Sequence, residues 1–173
     1  TIWLGTETGG INLLSPKRLQ TKLWTCGSAD TENDAPTPVN AVDEDKNGNL
    51  WVALVERGLL KWNEDSKSCV HHLFSPNDIT SVSNNTLMGI LIDSDNRLWA
   101  YTWGVGINGI DLNIPNNRTF KRYTRENIPE LEGDFINSAC EDVINHGIWF
   151  GSTRGVHFYD KRKDTFVRVL FDQ

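Results

Sequence analysis

Asp45-Lys46-Asn47-Gly48-Asn49-Leu50-Trp51-Val52-Ala53 is a short polar turn that runs straight into an apolar strand with a tryptophan near its start. The pattern returns as Asp93-Ser94-Asp95-Asn96-Arg97-Leu98-Trp99-Ala100-Tyr101. It returns again, one residue longer, as Asp142-Val143-Ile144-Asn145-His146-Gly147-Ile148-Trp149-Phe150. The chain opens inside a fourth copy, Ile2-Trp3-Leu4-Gly5-Thr6. Trp3, Trp51, Trp99 and Trp149 are separated by 48, 48 and 50 residues. A fixed period of this size is a structural repeat.

The residues after each tryptophan repeat as well. Gly10-Ile11, Gly58-Leu59 and Gly106-Ile107 each begin seven residues after their Trp, and Gly155-Val156 six after. A further short apolar stretch follows each: Leu23-Trp24, Cys69-Val70, Phe120-Lys121 and Phe166-Val167. Before each of the last three Trp strands lies one more, marked by Val39 and Val42, Leu87 and Ile90, and Ile136 and Ala139. These stretches have strand length and are bounded by Gly, Asn, Asp and Pro, so one unit is four short strands. Four strands per repeat of roughly 45 to 50 residues is the signature of a β-propeller blade. Such a blade cannot bury both faces alone and stacks on its neighbour. The repeated Trp is the natural wedge between blades. A buried Trp covers about 200 Å², worth up to about 5 kcal/mol at roughly 25 cal/mol per Å².

The expected fold is therefore all-β: a partial β-propeller of about four blades with four-stranded antiparallel sheets, the first blade lacking its inner strand. The blades are placed at 1–26, 39–73, 86–123 and 135–171 within one domain of 173 residues. Three strands plus three full blades do not close a ring of the usual kind, which has about four to eight blades. The expectation is a fragment of a larger propeller, with self-association through open blade edges as its consequence.

Charge and composition narrow the function. A net charge of −6 argues against nucleic-acid binding and against anionic membrane surfaces. No apolar run reaches the length of a transmembrane helix. Three cysteines, Cys26, Cys69 and Cys140, match no zinc spacing and are expected as free thiols rather than a disulfide.

The units resemble two-component regulator propeller repeats. The resemblance rests on Glu44-Asp45 with Asn47-Gly48-Asn49-Leu50-Trp51-Val52, on Ile2-Trp3-Leu4-Gly5-Thr6 with Gly9-Gly10-Ile11, and on Tyr159-Asp160. Ser81-Val82-Ser83-Asn84-Asn85 is similar to the link before a new blade, and Phe120-Lys121-Arg122-Tyr123 to the outer strand. Ala53 and Tyr101 depart from the family's Gly, and Cys69 takes a Phe slot. The resemblance implies the periplasmic sensor region of an inner-membrane hybrid histidine kinase, the parent protein being membrane-anchored. It implies an oligosaccharide or other small ligand as partner, with signalling through parts not contained in this stretch. Two alternatives stay open: a protein-interaction or dimerisation platform, and a propeller lyase.

Candidate ligand residues come from the loops after the repeated Trp strands, since propellers bind ligands with loops at one mouth of the channel. Arg57 and Arg154 occupy matching slots before Gly, and either binds ligand or pairs with a neighbouring loop carboxylate. Tyr101 and Trp103, at i and i+2 on one side of a strand, offer an aromatic platform or fill space between blades. Asp45, Asp93 and Asp142 look like a carboxylate ring, but their tight-turn positions favour acceptance of backbone N–H bonds. Asp43-Glu44-Asp45-Lys46-Asn47 only half suggests a calcium loop, so no metal or cofactor is expected. His71 and His72 alternate across a strand, His146 sits in a turn and His157 in a strand. No nucleophile, paired-His or phosphate-loop motif accompanies them. No enzymatic activity is expected of this segment, and Glu56 and His157 are the residues a lyase would use.

Overall fold

The computed structural model describes residues 2–6, 10–14 and 23–24 as strand backbone, and residues 37–63, 65–131 and 135–169 with their side chains. The described residues form fifteen strands in four antiparallel sheets. The first sheet holds β1 (Ile2–Thr6), β2 (Gly10–Leu14) and β3 (Leu23–Trp24). The second holds β4 (Val39–Glu44), β5 (Asn49–Leu54), β6 (Leu59–Asn63) and β7 (Ser68–His72). The third holds β8 (Leu87–Ile92), β9 (Arg97–Thr102), β10 (Ile107–Asp111) and β11 (Lys121–Tyr123). The fourth holds β12 (Ile136–Asp142), β13 (Gly147–Ser152), β14 (Gly155–Asp160) and β15 (Thr165–Val169).

Within each sheet the strands follow one another in chain order, each paired with the next. The strands β4, β8 and β12 lie side by side, with β1 beside β4, so the sheets are arranged as successive blades around their first strands. This is the partial propeller that the repeat predicts.

The core forms between sheets because side chains alternate faces along a strand. The face carrying the repeated Trp packs onto the following sheet. Trp51, Ala53 and Leu59 meet Ile90, Leu98, Ala100 and Ile110 in one cluster. Trp99, Tyr101, Ile107 and Tyr123 meet Ile136, Ile148, Phe150, Tyr159 and Phe166 in the next. The opposite face of the second sheet gathers Val52, Leu54 and Leu60, with Val39, Val42 and Cys69 against them. Trp51 and Trp99 are essentially inaccessible to solvent. Trp149 faces away from the third sheet and is only half-buried; it packs against Phe158 of its own sheet at 4.7 Å.

Register makes Gly58 and Gly106 obligatory at the entry to β6 and β10. Both have positive φ, 71° and 94°. A Cβ on Gly58 would lie 2.5 Å from the His72 carbonyl oxygen, and one on Gly106 would lie 2.2 Å from that of Tyr123. The outer strand crosses too close for any side chain there.

One expectation is overturned. Cys69 is disulfide-bonded and not a free thiol. It lies on the sheet face that looks back toward the first blade, where its sulfur can cross-link, whereas sequence spacing carries no information about which blades meet. Cys140 is a free, exposed thiol as expected. Cys26, the side chain of Trp3, and Glu7 and Thr8 lie outside the described residues.

Candidate functional site

The antiparallel order of the strands places two sets of loops at opposite ends of the blades. One end carries the turns after the first and third strands of each sheet. The other carries the loops after the second strand, together with the links that pass from one sheet to the next.

At the first end, the repeated Asp is a structural clamp. Asp45 Oδ1 accepts the backbone N–H groups of Asn47 at 2.9 Å and Asn49 at 3.0 Å, while Oδ2 accepts the Trp51 indole N–H at 3.0 Å. Asp93 repeats this with Asp95, Arg97 and Trp99 at 3.0, 2.9 and 3.0 Å. In the longer fourth turn Asp142 takes the Asn145 N–H and the Trp149 indole, each at 3.0 Å. Burial would raise the Asp45 carboxyl, but the hydrogen bonds from Trp51 and Asn49 outweigh it and hold it below the usual carboxylate range. Asp142 is lowered chiefly by the Asn145 side-chain and backbone bonds. The apparent carboxylate ring is thus three separate turn-and-indole locks.

The same end ties the third and fourth sheets together through charge. Lys161 reaches Glu141 at 2.6 Å, Asp95 at 2.8 Å and Asp93 at 3.1 Å. Burial alone would lower its ammonium, yet the bonds to Asp95, Glu141 and Asp93 raise it above the ordinary lysine value. Beside it, the Arg97 guanidinium lies 4.4 Å over the Trp99 ring and donates to the hydroxyls of Tyr123 at 2.8 Å and Tyr159 at 3.2 Å. Both hydroxyls donate to Asp164 Oδ1, at 3.0 and 2.8 Å, and Asp164 also pairs with Lys121. These groups satisfy one another between blades and leave little for a ligand.

At the second end the predicted ligand residues fall apart as a set. Tyr101 is buried in the core between the third and fourth sheets, its ring lying over Gly89, and burial raises its phenol. Trp103 is 53% exposed and packs edge-on against Phe135 at 5.1 Å. β9 ends at Thr102, and Trp103 bridges instead to Phe135 at the start of the fourth sheet. The pair is therefore no stacking platform: Tyr101 fills the gap between blades. Arg57 and Arg154 are exposed in corresponding loops of the second and fourth sheets. Of the lyase candidates, His157 is fully buried with Nε2 3.3 Å from Ser152 Oγ, while Glu56 is exposed in a loop of a different sheet. His72 is buried between Trp51 and Phe120, and His71 points to solvent. Among the described residues no group of His, Cys, Asp and Glu is placed to hold a metal ion.

A concavity at this end lies where the link between the second and third sheets crosses the third sheet. It has a volume of about 780 Å³, within the usual range of ligand sites. Phe74, Ile79, Thr80 and Ser83 of the link form one wall; Val105, Arg122 and Arg125 belong to the other. Arg122 fastens the link by donating Nε to the Ser81 carbonyl at 2.9 Å and Nη2 to the Asp78 carbonyl at 2.9 Å and Ser81 Oγ at 2.7 Å. The sequence offered one signal for this cleft. Phe74 is a large aromatic residue where the next link has Arg125, and Ile79 stands with it among Ser, Pro, Asn and Asp.

No protein-family profile and no curated protein matches the sequence. Solved structures do match. The chain superposes on an extracellular domain assigned to the hybrid two-component system BT3049 of B. thetaiotaomicron with a TM-score of 0.76 at 21% identity. The match covers 97% of this chain and 23% of that one. The extracellular domain assigned to BT4673 of the same organism gives 0.71 at 18% identity, with the same coverage. YCF48 from Cyanidioschyzon merolae gives 0.60 at 17% identity, over 96% of this chain and 52% of that one. The chain thus spans about a quarter of the length of the first two structures (23% in each). At these identities the likeness establishes the fold, a β-propeller segment built as in the extracellular domains of hybrid two-component systems.

Proposed function

We propose that this chain is a ligand-sensing segment of an extracytoplasmic propeller in a two-component sensor. It binds a small molecule, with oligosaccharides the first class to test, and passes the signal through parts of a membrane-anchored histidine kinase beyond this segment. The observation that carries the reading is the backbone likeness along 97% of the chain to two extracellular sensor domains. The disulfide at Cys69 supports it, because such bonds persist in oxidising compartments such as the periplasm. A ligand that binds the native state raises the melting temperature by mass action. A thermal-shift screen with neutral and acidic oligosaccharides should reveal such a rise. No rise with any glycan class removes the sugar reading.

A second reading, a dimerisation platform, draws on one feature. The outward face of the fourth sheet carries Trp149 half-buried, with Val167 53% exposed beside it in register. Sedimentation of the chain over a range of concentrations tests it. A monomer at every concentration excludes self-association through this face.

A further inference from the structure

We infer that the cleft between the 74–83 link and the third sheet is a binding site for a small apolar carboxylate, a ligand with one anionic end and one hydrocarbon body. This goes beyond the sensor reading and does not rest on it.

The first observation is an unsatisfied hydroxyl. Ser83 lines the cleft, is only 6% exposed, and its Oγ has no hydrogen-bond partner among the described residues. A buried hydroxyl left unpaired keeps its full desolvation penalty. Its backbone N–H is already held by Asn108 Oδ1 at 2.8 Å, so the residue is fixed in place with its hydroxyl uncommitted. The neighbouring hydroxyls differ: Ser81 Oγ and Thr80 Oγ1 are both bonded, to the Asp78 carbonyl and Asp78 Oδ1 respectively.

The second observation is charge. The chain as a whole carries −6, but this cleft is lined by Lys121, Arg122 and Arg125 against the single carboxylate Glu126. Lys121 is neutralised by Asp164. Among the described residues Arg122 and Arg125 form no ion pair. Arg122 donates Nε and Nη2 to carbonyl and hydroxyl oxygens, and the nearby Asp78 carboxylate feels its charge without forming a contact ion pair. A guanidinium facing a cleft is suited to a carboxylate.

The third observation is the apolar part of the link wall. Ile79 is 78% and Phe74 39% exposed at the cleft, and the Arg122 guanidinium lies 5.5 Å over the Phe74 ring. A hydrocarbon body would cover both side chains and remove more apolar area from water than a polyhydroxylated ring, whose hydroxyls stay hydrated. Charge, orphan donor and apolar wall together fit an aliphatic or aromatic carboxylate, either a free acid or the C-terminus of a peptide.

The test is an NMR titration of the 173-residue chain with phenylacetate and with its neutral isostere phenylacetamide. Phenylacetate should shift the amides of Ser83, Val105 and Arg125 saturably, and phenylacetamide should bind at least tenfold more weakly. Arg125→Gln and Ser83→Ala should each weaken phenylacetate at least threefold while the rest of the spectrum is retained. Gly-Gly-Phe and its C-terminal amide separate the sources. Tighter binding of the free-acid peptide than of phenylacetate assigns the site to peptide C-termini, and the reverse order to small acids. Equal binding of acid and amide, shifts mapping elsewhere, or no saturable shift overturns the proposal.

Discussion

A single buried imidazole shows how one side chain couples this fold to its surroundings. His72 stacks on Trp51 at 5.4 Å and meets the edge of Phe120 at 5.3 Å. Burial, with smaller contributions from Arg118, Lys61 and His71, lowers its pKa from 6.5 to about 4. Above pH 6.5 both folded and unfolded chains hold it neutral, and it contributes no pH dependence. Below 6.5 the unfolded chain takes up a proton that the folded chain refuses until about pH 4. Stability therefore falls as the pH drops through that window, by up to about 3 kcal/mol for this one group. Urea denaturation at pH 7 and pH 4.5 should show the loss, and His72→Phe should flatten it. The repeated aspartates make a second comparison at this scale. Asp93→Ala removes the acceptor of two backbone N–H groups and of the Trp99 indole N–H, and leaves Lys161 one carboxylate short at a buried position. A cost of about 3 kcal/mol is expected from the unpaired buried groups. Asp142→Ala leaves its groups near solvent, and should cost about 1 kcal/mol. Equal losses in chemical denaturation would contradict the assigned role of burial.

Among the strands, the turn that precedes the Trp strand accepts three different residues at one left-handed position. Gly48, Asn96 and His146 have φ of 75°, 60° and 53°. Gly and Asn visit this region at little cost, whereas His pays more. The fourth turn is one residue longer and its tip is exposed, which gives the chain room to adopt it. The entry to the third strand is far less forgiving. Gly106→Ala would force a methyl group to within 2.2 Å of the Tyr123 carbonyl oxygen at a φ of 94°. Its cost should be about 2 kcal/mol or more. A thermal melt checks it; a change of less than about 0.5 kcal/mol would mean that β11 can move outward freely.

For the molecule as a whole, stability resides between the sheets. The second and third sheets each present their Trp to the next, and the two junctions described with side chains on both sides are sealed differently. Between the second and third sheets the fill is mainly aliphatic around Trp51 and His72. Between the third and fourth it is aromatic, with Trp99 among Tyr123, Phe150 and Tyr159, capped by Arg97. Trp99→Ala should cost about 3 to 5 kcal/mol, as for other large-to-small core changes. Trp149→Ala, on a face with no sheet against it among the described residues, should cost about 1 kcal/mol in the same urea series. If the two variants lose the same stability, the stacking of blades is not what holds the chain together.

The period of about 48 residues, the Trp before each apolar run, and the Gly, Asn and Asp at the turns were enough to place the strands and the propeller from the primary structure. These are local signals: period-two alternation and turn chemistry act within a few residues, and the repeat multiplies them. The structural duty of Asp45, Asp93 and Asp142 was legible for the same reason, although the indole partner six or seven residues away was not. Whether Tyr101 would open to solvent or close on Gly89, that Cys69 would be cross-linked, and that the 74–83 link would leave a cleft around Ser83 all depended on contacts between segments far apart in the chain. Such contacts are set by how the blades twist and stack. A strand pattern says which way a side chain points, but only the packed neighbour decides what it meets there.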